Sequence, residues 1–239
     1  MAATPIDAQG PPCPDTRGQG KNDRMSLQSP PLVLLGGGGH AAVVAEVALT
    51  AGWSVAGFLD DDLDDSQARP PGLPRLGAIH DLSAILAGHS NERRGLVGHA
   101  AVGDPGLRRR WLDGLADAVA AAIVHPSAVV SPSAELAEGT FIGALAVVHA
   151  RAKVGRGVIV NSGAIIEHDC VLGPFCHVAP GAALGGGATV GSDALVGLNA
   201  AVLPGVRVGV AATLGAGAVA ASDVPDGVTA TGIPARSGG

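Results

Sequence analysis

Across the C-terminal half of the chain the hydrophobic positions recur every sixth residue. Val124, Val130, Leu136, Ile142, Val148, Val154, Val160, Ile166, Leu172, Val178, Leu184, Val190, Val196, Val202, Val208 and Leu214 keep this spacing without a slip, and each is Val, Leu or Ile. Four residues after each stands Ala, Thr, Val or Cys, as at Ala128, Thr140, Val158, Cys170, Cys176 and Ala218. A helix repeats near 3.6 residues and a strand near 2. Neither gives a period of six with two inward positions, but a three-sided coil does. Each hexad forms one short flat face, three faces close a turn, and turns stack at about the ordinary 4.8 Å strand spacing. The aliphatic residue fills the axis and the small one sits inward near a corner. The expected architecture over residues 123–239 is a left-handed parallel β-helix of hexapeptide repeats. With no phase break it should carry no long projecting loop. After Leu214 the phase is expected to end: Asp223-Val224-Pro225 breaks the coil, and 228–235 reads as a strand closing the open end.

Ahead of the repeats, short apolar runs alternate with helical patterns, which predicts a small α/β domain over residues 31–122. Leu32 to Leu35 reads as a buried strand that runs into Gly36-Gly37-Gly38-Gly39-His40. A helix is expected over 41–50 with Val43, Val44, Val47 and Ala48 inward, then a strand over 53–59 ending in Asp60-Asp61-Asp62. This is a Rossmann-like βαβ unit. Such a turn aims backbone N–H groups and a helix N-terminus at an anion, usually a phosphate. The acidic group after the second strand suits a ribose or base edge. Gly36, Gly38 and Ala41 fit a dinucleotide fingerprint only loosely, and a tight turn that simply needs small residues is the alternative. Residues 63–78 read as a polar, Pro-rich connection, 80–89 as a short helix and 96–102 as a strand. A further helix over 107–118 is expected to hold Arg108, Arg109 and Arg110 on its solvated face, with a phosphate contact the alternative. Residues 119–124 read as a last strand. A domain of about 90 residues is too short for a full dinucleotide or nucleotidyltransferase domain. Residues 1–30, rich in Pro, Gly, Asp and Gln, read as a disordered tail, with Met25 as a candidate start just ahead of the first apolar run.

Composition narrows the function. The 239 residues carry a net charge of −6 with no basic tract, and three Phe, two Trp and no Tyr leave little to stack on bases; both argue against nucleic acid. The apolar stretches are interrupted by Gly, Pro or charge within the roughly 20 residues a membrane span needs. Residues 1–30 lack the apolar core of a secretory signal, so a soluble cytoplasmic protein is expected. Cys13 lies in the tail, while Cys170 and Cys176 fall at inward positions and read as core thiols rather than a disulfide or metal pair.

The titratable residues at outward positions of the repeat cluster at Glu167-His168-Asp169, flanked by Asn161, His149 and His177. Residues 18 apart stack on successive turns. His168 is therefore expected between Ala150 below and Gly186 above, with Gly185-Gly186-Gly187 leaving room for a substrate beside the imidazole. His149 stacks near Glu167 by the same count. A histidine beside a carboxylate is the composition of a general base: the carboxylate fixes the tautomer and the imidazole titrates near working pH. The alternatives are solvated corner histidines, a metal site of His149, His168 and His177, or a non-catalytic scaffold. The metal site would need three imidazoles to converge across an interface, and 168 and 177 fall on different faces. The Glu-His-Asp triplet under three glycines argues against the scaffold.

Several further segments bear on identity: Gly-Gly-Gly-Gly-His at 36–40, Phe-Leu-Asp-Asp at 58–61, Ala-Val-Gly-Asp at 101–104, Ile-Val-His-Pro-Ser-Ala at 123–128, Glu-His-Asp-Cys at 167–170 and Gly-Ile-Pro-Ala at 232–235. With Asn161 and His177 they make the chain resemble the hexapeptide-repeat acetyltransferases of the sialic acid O-acetyltransferase and UDP-4-amino-sugar N-acetyltransferase family, over about Leu32 to Ala235. The resemblance implies direct acetyl transfer from acetyl-CoA, without metal, to an amino sugar, nucleotide-linked through UDP, with O-acetylation of a sialic acid or similar hydroxyl as the rival. It implies that His168 is the base and that Asp169 raises its basicity. It gives acetyl-CoA contacts to His177, Gly186, Leu198 and Ala216, and acceptor contacts to Gly38, Gly39, His40, Asp60, Asp61, Gly103 and Asn161. It further implies a homotrimer with sites between subunits. Family members often carry Ser or Ala within the glycine turn, which here is all Gly. An acyl-enzyme is not implied, since Cys170 faces inward.

Overall fold

The computed structural model describes residues 30–62, 70–89 and 95–237. The expected tail, Pro30 apart, and Cys13 lie outside the described residues, as do 63–69 of the predicted connection. The N-terminal unit is a four-stranded parallel sheet built from β1 (Leu32–Leu35), β2 (Val55–Leu59), β3 (Arg75–Gly77) and β4 (Val97–Ala100), in the order β3-β2-β1-β4. The central strand β1 is wholly buried, as its unbroken apolar run requires. Helix α1 (Gly39–Thr50) buries Ala41, Val44, Ala45, Val47 and Ala48. Val43, expected inward, is exposed, because a stripe at 41, 44, 45 and 48 puts 43 on the other side of the helix. Strand β3 lies inside the segment expected to be an irregular connection. Its three residues are too few to show alternation, and it is held by Arg75, whose Nε and Nη2 donate to the Asp60 carbonyl at 3.1 and 2.6 Å. A 3₁₀ turn leads into α2 (Leu82–His89). Helix α3 (Pro105–Gly114) starts two residues earlier than expected, at a proline whose N-cap Asp104 accepts from Leu107 N at 2.7 Å. The predicted last strand divides: Val119 makes one bridge to Gly98, whereas Ile123–Val124 is the first rung of the solenoid.

From Ile123 onward the chain forms the left-handed parallel β-helix. Two-residue strands stack 18 residues apart, as in Ile159↔His177, Lys153↔Val171 and Ile165↔Ala183. The hexad aliphatics and the small residues four places later form one continuous core. The phase persists beyond Leu214, contrary to expectation, because Ala220 and Val224 are buried in that same core. Thr229–Thr231 then pairs with Thr213–Leu214, and Arg236–Ser237 folds back on it. At the corners one residue in each hexad from Gly139 to Gly217 takes a positive φ.

The outward residues give the three faces different characters. Ile123, Phe141 and Ile159 on the first face are buried against Ala41, Val44, Ala45 and Ala48 of α1. Glu135, Lys153, Thr189 and Arg207 make the third face polar, around Val171. The second face carries Val129, Val147, Ile165, Ala183, Ala201 and Val219, all aliphatic and none buried.

The joint between the two units corrects the reading of the arginines. Arg108 is fully buried. Its guanidinium donates to the carbonyls of Val102 at 3.0 Å, Gly103 at 2.8 Å, Gly157 at 2.7 Å, and Phe175. It lies four residues before Leu112 and seven before Leu115, both buried, so helical spacing sets it on the core side of α3. Arg109 grips both oxygens of Asp193 at 2.7 Å and stacks 4.2 Å over the Phe175 ring. Arg110 remains exposed, as expected.

Candidate active site

His168 stands at the corner between the second and third faces. Its Nδ1 lies 2.7 Å from Asp169 Oδ2. Asp169 in turn is clamped by Arg151, one turn below, with Nε to Oδ1 at 2.6 Å and Nη2 to Oδ2 at 2.8 Å. The Arg151 hydrogen bond and then the His168 one hold the Asp169 carboxyl well below the usual carboxylate range. An ionised Asp169 can only accept, so Nδ1 carries the proton and Nε2 presents its lone pair. Gly186 lies against the ring: a Cβ there would come 2.7 Å from both Cε1 and Nε2 of His168. Gly186 thus makes room for the imidazole itself, whereas a Cβ at Gly187 would meet nothing within 4 Å. His149 Nε2 sits 3.7 Å from Glu167 Oε1, the stacking that the 18-residue count predicts. Arg151 was missed, although the count that places Ala150 under His168 also places Arg151 under Asp169.

His177 and Asn161 lie away from this corner. His177 projects from the first face into a cleft of about 230 Å³ at the junction of the two units, lined also by Gly103, Pro105, Arg108, Phe175 and Asp193. Burial, then the Arg108 and His40 charges, pulls its pKa down to about 4. As a neutral ring its Nε2 accepts from Asn161 Nδ2 at 3.2 Å. Leu198 and Ala216, both exposed, stack 18 apart at the corner that Asn161 shares, between the first and second faces. His149, His168 and His177 do not converge, and among the described residues no group of three or more His, Cys, Asp or Glu side chains could hold a metal ion.

The glycine turn divides into packed and open positions. Gly37 must lack a side chain: a Cβ would meet Asp60 Oδ2 at 2.6 Å and the Phe58 ring at 2.8 Å, and its N–H is bonded to Asp60 Oδ2. At Gly38, Gly39 and Gly103 a Cβ would meet nothing within 4 Å. Packing therefore does not explain those three glycines. Helix α1 has no side-chain N-cap, leaving its first N–H groups facing outward from the turn. Asp60 and Asp61 are partly engaged by the chain itself, since Asp60 Oδ1 accepts from Asp62 N and Asp61 Oδ1 from Ile79 N, both at 2.8 Å. His40 meets Phe141 edge-on at 5.3 Å.

Comparison with known proteins settles the family. Residues 31–115 match the model of the PglD N-terminal domain. Perosamine N-acetyltransferase from Caulobacter crescentus, crystallised as a mutant with CoA and GDP-perosamine, is 38% identical, with 87% of this chain and 97% of that chain covered and a TM-score of 0.79. The chain is a hexapeptide-repeat sugar acetyltransferase. The acetyltransferase domain of PglB from Neisseria gonorrhoeae FA1090, solved with acetyl coenzyme A, is 37% identical over 87% of this chain and 99% of that one, with a TM-score of 0.79. WeeI from Acinetobacter baumannii AYE shares the fold at 24% identity and a TM-score of 0.74, over 87% of this chain and 100% of that one. No curated protein sequence matches the chain. In this acetyltransferase the residues singled out from the sequence fall into three places: the His168 corner with Gly186; the corner and cleft holding Asn161, His177, Leu198 and Ala216; and the glycine turn with Asp60 and Asp61. Within one chain the aliphatic second face separates the first two. No described helix is long and apolar enough to cross a membrane.

Proposed function

We propose that the protein transfers the acetyl group of acetyl-CoA to the amine of a nucleotide-linked amino sugar, with His168 as general base, in a homotrimer whose sites lie between subunits. The observation that carries the mechanism is the Arg151–Asp169–His168 chain, which points the Nδ1 proton at the carboxylate and so leaves the lone pair of the neutral ring on Nε2. The amine nitrogen attacks the thioester carbonyl carbon while His168 Nε2 takes its proton. The tetrahedral intermediate collapses, the C–S bond breaks, and the proton passes to the thiolate, giving the acetamide and CoA. Free Cys170 and Cys176 are both buried, and burial pushes the Cys176 thiol up to about 12, which supports direct transfer without an acyl-enzyme.

The unburied aliphatic ladder of the second face supports the trimer. Three copies closed around an axis along that face would set the His168 corner of one beside the Asn161, Leu198 and Ala216 corner of the next. The nucleotide would take the open side of the turn: Gly38, Gly39 and Gly103 leave space for phosphates, the uncapped start of α1 supplies N–H donors, and His40, Asp60 and Asp61 flank it. UDP is the nucleotide the sequence family implies, although one neighbour was crystallised with GDP-perosamine. With no membrane-spanning helix among the described residues, a cytoplasmic location suits an enzyme that draws on acetyl-CoA and nucleotide sugars.

The test is a panel of UDP- and GDP-linked amino sugars and free sialic acids, each with acetyl-CoA, read by thiol release. Turnover is expected with the UDP-amino sugars. Preference for a GDP-amino sugar would reassign the nucleotide, and turnover with sialic acid alone would replace the amine by a hydroxyl. His168→Ala should lower turnover by at least about 100-fold while the trimer persists in sedimentation.

A further inference from the structure

We propose that Arg151 is a positioning residue for this transfer, clamping Asp169 so that the carboxylate holds the His168 ring in one orientation and one tautomer, and moderating the carboxylate's pull on the imidazole proton. The inference rests on the reading of His168 as the base. Its first support is geometry. Asp169 Oδ2 is shared between His168 Nδ1 at 2.7 Å and Arg151 Nη2 at 2.8 Å, and Arg151 Nε closes the fork on Oδ1 at 2.6 Å. The bidentate fork fixes the plane of the carboxylate as a single lysine contact would not.

The second support is the backbone. Arg151 and Asp169 both occupy left-handed corner positions, at φ 60° and 62°, whereas the next residue up the same column is Gly187. Asp tolerates that conformation, but Arg gains nothing from it locally. The corner is held by Ser133, whose Oγ accepts from Arg151 N at 3.2 Å. A long cation at a position that sterics would give to glycine is explained by what its side chain reaches.

The charges around the ring are few. Arg151 and His149 lie below and Glu167 and Asp169 flank it, with Glu167 facing His149 at 3.7 Å. Above it Gly185, Gly186 and Gly187 bring no charge. Without Arg151, Asp169 would be free to rotate, and its whole negative charge would act to retain a proton on the imidazole. Less free base would then be present at neutral pH.

The test uses the full chain with Arg151→Met and Arg151→Lys. Expected for Arg151→Met is an acidic limb of kcat/KM moved upward by roughly half a pH unit, hence about threefold less rate on that limb. KM for acetyl-CoA should stay within about twofold, and Arg151→Lys should restore part of the limb. In an Asp169→Asn background Arg151→Met should move nothing further. A pH profile for Arg151→Met that superimposes on the parent, or an equal shift without Asp169, overturns the proposal. NMR titration of the His168 ring, assigned by its loss in His168→Gln, gives a readout independent of turnover. If His168→Gln keeps full activity, the base reading fails, while the ring titration still decides whether Arg151 acts on His168.

Discussion

Replacing Arg108 by methionine tests whether the two units are held together by one buried cation. The guanidinium is fully buried, and its partners are four backbone carbonyls, two from the N-terminal unit (Val102 and Gly103) and two from the solenoid (Gly157 and Phe175). Burial draws its pKa down to about 10, so it remains a cation at neutral pH. Each hydrogen bond from a charged donor contributes about 1.5–3 kcal/mol, against which stands a desolvation cost of several kcal/mol for the ion. Methionine fills most of the volume but leaves the two fully buried acceptors, Gly157 and Phe175, unpaired, at about 1–3 kcal/mol each. The expected net loss is therefore about 3–5 kcal/mol, in the range seen when one partner of a buried ionic contact is removed. Urea unfolding followed by far-UV circular dichroism measures it, and tryptophan emission reports the N-terminal unit separately, since both tryptophans, Trp53 and Trp111, lie there. Arg108→Lys should fall between the two, because one ammonium cannot span four carbonyls. A loss below about 1 kcal/mol for Arg108→Met would show that the carbonyls find other partners, and the clamp would have to be abandoned.

Gly186→Ala should leave thermal stability nearly unchanged, because Gly186 does not use a left-handed backbone and the nearest atoms its Cβ would meet belong to the half-exposed His168 ring, which can move aside. Displacing that ring should lower kcat/KM by about 10–100-fold, and an unaltered rate would detach Gly186 from the chemistry. Stability should fall on acidification below pH 6.5. Burial first, then neighbouring charges, lowers His40 and His177 to about 4 and His99 to about 3. Between those values and 6.5 the unfolded chain therefore binds more protons than the folded one, at up to about 4 kcal/mol per pH unit for three histidines. Urea midpoints that stay flat from pH 6.5 to 5 would contradict this. Ile165→Asp, at the middle of the exposed aliphatic face, should give a monomer in sedimentation and abolish turnover; a trimer that survives it would move the interface elsewhere.

How much of this was legible in the sequence depends on whether a residue's partner lay at a fixed count. Within the solenoid it did. The step of 18 puts His149 near Glu167 and Gly186 against His168, and one residue along it puts Arg151 under Asp169. The count fails at the last turn because Ala220 stands at the inward position that Val, Leu or Ile holds in the other hexads, although Val224 follows it at the usual spacing. In the N-terminal unit no such ruler exists. Strand β3 is three residues long and is recognisable only from its pairing with β2 at Phe58↔Arg75. Arg108 reads as a surface charge by composition, and only its spacing from Leu112 and Leu115 argues otherwise. What it reaches, Gly157 and Phe175, lies 49 and 67 residues away, beyond any local pattern. Asn161 and His177 lie within nine residues of His168 in the sequence, whereas in one chain they stand on the other side of the aliphatic face.

The corners offer a further way to read such a coil. A left-handed residue is needed once per hexad, and glycine meets that need without steric penalty. Leu145, Arg151, Asp169, Phe175, Asp193, Asn199 and Ala211 are the corners between Gly139 and Gly217 where it is absent. Four of these seven fall into two stacked pairs with long-range partners: Arg151 with Asp169 beneath the His168 ring, and Phe175 with Asp193, which together receive Arg109. Leu145 and Asn199 stand on the corner that Asn161 shares, with Leu145 70% exposed, where the proposed neighbouring subunit would lie. Ala211 lies neither in those pairs nor on that corner. Left-handed strain persists where surrounding contacts over-determine it, so the non-glycine corners point to the domain joint, the imidazole and the proposed seam, whereas the core positions, uniform by necessity, report only the fold.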